Sequence, residues 1–165
     1  MIRVRVHHVH PHARPAARDA VRCVRTVLRG ERRSAGDLAV ILADTTTVRA
    51  LNRRYLGHDR STDVLSFPLA EGRILEGEVY VNLDRARAQA RDYGVSYPEE
   101  VIRLVVHGTL HLAGYEDGTA LARRAMRLRE DRYVEALAGR RPARSGGRTP
   151  RRSRGGRKSG EVTRG

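Results

Sequence analysis

In the stretch VVHGTLHLAGYEDG, His107 and His111 stand four residues apart and are followed by Gly114 and two acids, Glu116 and Asp117. Residues i and i+4 of a helix share a face, so both imidazoles can point at one ion. Asp117 comes six residues after His111. A turn at Gly114 lets it fold back as a third ligand, with Glu116 as its rival. Two histidines and a carboxylate suit zinc and leave a fourth position for water, which distinguishes a catalytic site from a structural one. The histidine pair alone is weak support, because such pairs are commonly satisfied by hydrogen bonds. Gly108 is expected to keep the backbone open beside the first histidine. It also occupies the place where the peptidase pattern H-E-x-x-H carries its general base, which disfavours a zinc peptidase of that kind.

The elements that must position this group are readable from periodicity. Ser96, Pro98 and Glu99 form a helix start of the capping-box type. Val101, Leu104, Val105, Gly108 and Leu112 then make one apolar side, and Gly114 is placed to stop the helix. Upstream, IRVRVHHV alternates as a half-buried strand from Ile2 to Val9. Ala17, Val21, Val24 and Leu28 follow at helical spacing, closed by Gly30. DLAVILAD is a short apolar strand, and Asp44 or Thr45 can cap the helix TTTVRALNRRYLG. TDVLSFPL and GEVYVNL read as two strands, LDRARAQARDYG as a helix ended by Gly94, and 119–137 as a last helix. This order predicts an α/β layer, a small mixed sheet of about four strands packed with about five helices and the metal site on the central helix. His7, His8, His10 and His12 look like a second ligand cluster, but neighbours on a strand face opposite ways and do not converge on one ion.

The chain has 165 residues and a net charge of +14. Residues 139–165 hold ten Lys/Arg and one acid, a local excess of +9, and almost no apolar residues. Residues 1–138 form the expected folded domain, and 139–165 an Arg/Gly-rich tail expected to be disordered. Such a tail either binds polyanions by counterion release or is a solvated extension. There is no apolar run long enough to span a membrane, and the charged, alternating N-terminus is not expected to act as a secretion signal. The single cysteine, Cys23, lies in an apolar helical pattern and reads as a small core residue in a reducing, cytoplasmic setting.

HGTLHLAGYED resembles the signature of the YbeY-type endoribonucleases, bacterial rRNA maturation factors. LNRRYLGHDRSTDVLSFPL resembles a second block of that family, and GEVYVN a third, weaker one. The three occur in the family's order within about residues 36–137. The resemblance implies three ligands in the pattern H-x-x-x-H-x-x-x-x-x-H, which fall on His107, His111 and, as a departure, Asp117. It implies one Zn2+ per chain, with another transition metal admissible because a carboxylate is a harder ligand. A second departure is Leu56, where many members carry an arginine facing the cleft. His58, Arg54 and Arg60 are candidates to supply the missing charge, and His58 to hydrogen-bond Asp117.

In STDVLSFP, Thr62 and Asp63 either bind substrate or orient a ligand, or Asp63 caps the turn into a strand. Ser66 has no evident base beside it and is rejected as a nucleophile. The implied function is a single-strand-specific, metal-dependent endoribonuclease in 16S rRNA 3′-end maturation and ribosome quality control. Such an enzyme would act on rRNA, on ribosomal particles, with a ribosomal protein as a further partner. Catalysis would run through the metal on His107, His111 and Asp117, with His58 assisting, and Arg54, Arg60 and Asp63 would bind substrate. Arg53 and Arg103 are further phosphate candidates, though each arginine taken singly reads as solvated surface charge. The readings have distinct signatures: an RNA enzyme should have a basic cleft, a small-molecule or peptide hydrolase an enclosed apolar pocket, and a non-catalytic ribosome-assembly factor a fourth protein ligand.

Overall fold

The computed structural model describes residues 2–70 and 72–139. The expected disorder of the tail concerns residues that, from Arg140 on, lie outside the described range. Four strands and five helices follow one another as β1 (Arg3–His8), α1 (Ala17–Gly30), β2 (Ser34–Ala43), α2 (Thr45–Leu56), β3 (Val64–Ala70), β4 (Ile74–Asn82), α3 (Leu83–Tyr93), α4 (Tyr97–Leu112) and α5 (Ala120–Leu137). The sheet has the order β1-β2-β4-β3. β1, β2 and β4 run parallel, and β3 pairs antiparallel with β4 at the edge. The mixed α/β sheet expected from the sequence is present.

Alternation along the strands separates two cores. Val40 and Leu42 of β2 join Val79 and Val81 of β4 under α1, α4 and α5. Ile41, Ala43 and Leu65 face the other way, against Val48 of α2. Cys23 is fully buried in the larger core, where burial pushes its thiol pKa up. β2 and β4 both begin three residues before the expected Asp37 and Gly77. Ser34 and Ala35 pair with Ile74 and Leu75, and the register then shifts before Leu38. Cross-strand pairing of these first residues carries β2 through Gly36 and starts β4 ahead of Gly77.

The helix ends follow their residues. Asp44 caps α2 by accepting from the Thr47 amide at 2.9 Å, and Ser96 caps α4 by accepting from the Glu99 amide at 3.2 Å. At the other end of α4, the Gly114 amide donates to His111 O and the Tyr115 amide to Leu110 O, a Schellman closure. That closure puts Gly114 at φ 105°, open to glycine at no steric cost.

α4 is buried on nearly all sides, against the sheet and against α1, α3 and α5. Gly108 is what allows the close approach. A Cβ there would lie 2.3 Å from Val79 Cγ1 and 3.0 Å from Val64 Cγ1. Its role is therefore contact between helix and sheet, a correction to the open backbone expected beside His107.

Candidate metal centre

Arg103, His107 and His111 form a stripe at four-residue spacing on the one side of α4 left polar. The Schellman turn brings Asp117 back over that stripe. His111 Nε2 lies 3.0 Å from His107 Nε2, and Asp117 Oδ2 lies 3.5 Å from each of them. A tetrahedral zinc with N and O ligands at about 2.0–2.1 Å spaces them about 3.3–3.4 Å apart. Within the described residues these are the three His, Cys, Asp or Glu side chains whose ligand atoms gather in this way, and no fourth joins them. Glu116 points elsewhere, exposed along a groove with Leu56, Ser66, Pro68 and His111.

The outer partners decide what the triangle can bind. His107 Nδ1 is hydrogen-bonded to the Glu130 carboxylate, and His111 Nδ1 lies 2.9 Å from the Tyr115 carbonyl. A carboxylate and a carbonyl only accept, so both imidazoles carry their proton on Nδ1. Both Nε2 atoms are then bare lone pairs, facing each other and a carboxylate oxygen. Three acceptors with no donor between them suit a cation, and second-shell hydrogen bonds of this kind also raise a histidine's strength as a ligand. Without the cation, a proton can take its place. Burial works against a charged His107, but the Glu130 hydrogen bond and the charges of Glu130, Asp63 and Asp117 outweigh it and raise its pKa above the ordinary value.

Glu130 was not among the residues singled out from the sequence. Its signal is an acid inside the buried stripe Met126, Glu130, Tyr133, Val134 and Leu137 of α5. Arg103 lies beside it, 3.6 Å from Glu130 and 2.8 Å from Asp131, with only 12% of its side chain exposed. It is thus a half-buried, paired cation, where solvated surface charge was expected.

A family model described as "Endoribonuclease YbeY" matches residues 7–138. Two relatives named Endoribonuclease YbeY are each 40% identical: that of Chlorobium luteolum over 78% of this chain and 96% of its own length, and that of Salinibacter ruber over 80% and 90%. The chain belongs to the YbeY endoribonuclease family. The solution structure of TM1509 from Thermotoga maritima is also similar, with a TM-score of 0.60 and 29% identity over 84% of this chain and 90% of that one. Relatives so named place the chain among nucleases, hydrolases of RNA.

Of the remaining predicted residues, Asp63, His58 and Arg60 line two adjoining cavities and Arg54 lines neither. Asp63 lines a cavity of about 320 Å³ together with His107, Asp117, Arg103, Arg123 and Glu130. Its carboxylate accepts from Gln89 Nε2 at 3.2 Å and Thr62 Oγ1 at 3.4 Å. The buried Asn82, at the end of the YbeY-like GEVYVN stretch, holds this segment in place. Its Nδ2 donates to Thr62 O and Ser61 Oγ, and its amide to Asp63 O.

His58 and Arg60 line an adjoining pocket with Leu56, Arg85 and Gln89, and Asp63 and Gln89 belong to both cavities. His58 makes no hydrogen bond to Asp117; its amide donates instead to Asn52 O. Arg54 stacks on Tyr55, 5.3 Å from the ring centre, and lines neither cavity. Ser66 Oγ donates to Gly108 O at 2.9 Å, tying β3 to α4. The cavity at the histidines mixes Arg103, Arg123 and Arg127 with Asp63, Glu100, Asp117 and Glu130, whereas the adjoining pocket has His58, Arg60 and Arg85 against Asp63 alone. No helix of the described residues is long and apolar enough to cross a membrane.

Proposed function

We propose that this YbeY-family chain is a metal-dependent endoribonuclease that cuts single-stranded RNA, with His107, His111 and Asp117 holding one zinc ion. The observation that carries this reading is the bare triangle of two Nε2 atoms and one carboxylate oxygen, each histidine fixed from behind by an acceptor. Among the described residues the donor set has three members and no fourth, which favours a catalytic ion over the structural one an assembly factor would need. When bound, a divalent ion supplies Lewis-acid stabilisation to the phosphodiester undergoing attack. Glu130 and the Tyr115 carbonyl hold the imidazoles in the ligating tautomer. Arg60 and Arg85, with His58, offer phosphate contacts in the adjoining pocket, and Asp63 with Gln89 stands between that pocket and the ion. The substrate phosphates thus meet positive charge on both sides of Asp63. The cavity at His107 is lined by charges of both signs, unlike the enclosed apolar pocket of a small-molecule hydrolase, and the excess of positive groups that suits RNA lies in the adjoining pocket.

Membership of the family supports a cellular role in 16S rRNA 3′-end maturation and ribosome quality control, on ribosomal particles in the cytoplasm and with a ribosomal protein as partner. The test is metal content by elemental analysis, with cleavage of a precursor 16S 3′ end offered single-stranded and as a duplex. The expected result is one equivalent of zinc, lost together with single-strand cleavage in His107→Ala, His111→Ala and Asp117→Ala. Full metal content in Asp117→Ala would move the third ligand to Glu116. A wild-type chain that takes up no zinc, manganese or nickel would overturn the metal-dependent reading.

A further inference from the structure

Tyr115 does three things for the metal centre at once. Its amide closes α4 on Leu110 O, its carbonyl accepts the His111 Nδ1 proton, and its backbone leads within two residues to Asp117. Its hydroxyl is anchored far away in sequence. It donates to Glu31 Oε2 at 2.6 Å, where the chain leaves α1.

Glu31 is half-buried as a residue, and its side chain is turned inward with 7% exposed. Besides Tyr115 it accepts from Tyr133 Oη at 2.7 Å and Arg129 at 2.9 Å, both on α5. The Arg129 guanidinium also lies 4.4 Å from the centre of the Tyr115 ring. Joining α1 to α5 does not require this. Apolar side chains of similar volume would do so at no electrostatic cost, whereas a buried carboxylate must find several donors to offset its desolvation. What the carboxylate adds is a fixed direction for the Tyr115 hydroxyl, and with it a fixed position for the loop between α4 and α5.

We infer that Glu31 is a positioning residue of the metal centre, acting through Tyr115 on His111 and Asp117. This rests on the metal-dependent reading above. Glu31 sets the loop from the α1 side, as Glu130 sets His107 from the α5 side. One carboxylate touches a ligand directly and the other touches the residue that orients two ligands.

The experiment measures zinc affinity of the full-length chain by competition with a chromophoric chelator, and the melting temperature of the metal-free chain. The variants are Tyr115→Phe, Glu31→Gln and Tyr133→Phe. Tyr133→Phe removes a hydroxyl from the same carboxylate but does not lie on the metal loop, so it controls for loss of stability alone. The expected result is a loss of zinc affinity of about tenfold or more in Tyr115→Phe and Glu31→Gln, the range found for second-shell partners, with Tyr133→Phe close to wild type. Wild-type affinity in Tyr115→Phe overturns the inference, as does an equal loss in Tyr133→Phe accompanied by equal drops in melting temperature. A wild-type chain with no zinc affinity overturns the metal reading and this inference with it, so the two failures are distinguishable.

Discussion

At the scale of single residues, the behaviour of the site turns on where two protons sit. Glu130 keeps the His107 proton on Nδ1, so Glu130→Gln keeps the shape of the side chain while removing its charge. Zinc affinity should fall about 10–100-fold, the usual cost of losing a second-shell partner, as read by chelator competition. A fall confined to the melting temperature would show that Glu130 serves only Arg103. The raised His107 pKa gives the metal-free and metal-bound proteins different pH dependences. In the metal-free chain the charged His107 contributes stability that is complete below the unfolded-state value of about 6.5 and is lost as pH rises through the higher folded value. Zinc competes with that same proton, so zinc stabilisation grows over the same interval. Melting temperatures with zinc and with chelator, measured across this range, should diverge as pH increases. Parallel curves would remove the assignment of that proton to the ligand.

At the scale of elements, α4 can carry two ligands because it is fixed against the sheet. Gly108 sets that distance, and Gly108→Ala would place a methyl group 2.3 Å from Val79 Cγ1. The substitution should destabilise the fold by about 1–3 kcal/mol through overpacking, seen as a lower denaturant midpoint. Gly118→Ala, with nothing within 4 Å of its Cβ, should leave the midpoint nearly unchanged. Much of α4 was legible in the sequence because its signals are local: a cap at Ser96, an apolar stripe, a stop at Gly114 and histidines one turn apart. The partners of those histidines were not. Glu130 and Glu31 meet them, or the loop beside them, only through tertiary packing across 23 and 84 residues. In the sequence Glu31 is an ordinary acid at a helix end, and Glu130 stands out only once the buried face of α5 is known. The early start of β2 was hidden for the same reason, since its first residues, with Gly36 behind them, become strand only once Ile74 and Leu75 of β4 lie beside them.

At the scale of the whole molecule, charge is divided between two places. The 139–165 segment holds ten basic residues and one acid, while the cavity at the histidines has nearly balanced charges. Binding of RNA in general and cutting of RNA should therefore separate. A chain ending at 139 should bind single-stranded RNA more weakly, with a shallower dependence of log affinity on log salt by roughly 0.7 for each phosphate that is no longer neutralised. Its rate on a short RNA at saturating concentration should stay the same. Filter binding at several salt concentrations, alongside single-turnover cleavage, measures both. An unchanged salt slope would leave the segment a solvated extension with no part in binding.

The two histidines and the acid do not stand on equal ground. His107 and His111 are fixed in a helix packed on nearly every side, so replacing either disturbs what surrounds it. Asp117 stands on the connection between α4 and α5, with 42% of its side chain exposed. Its identity can change without repacking either helix. Descent can therefore exchange imidazole for carboxylate at this corner, retuning the charge and hardness of the site by a single codon while the frame that holds the other two corners is inherited unaltered.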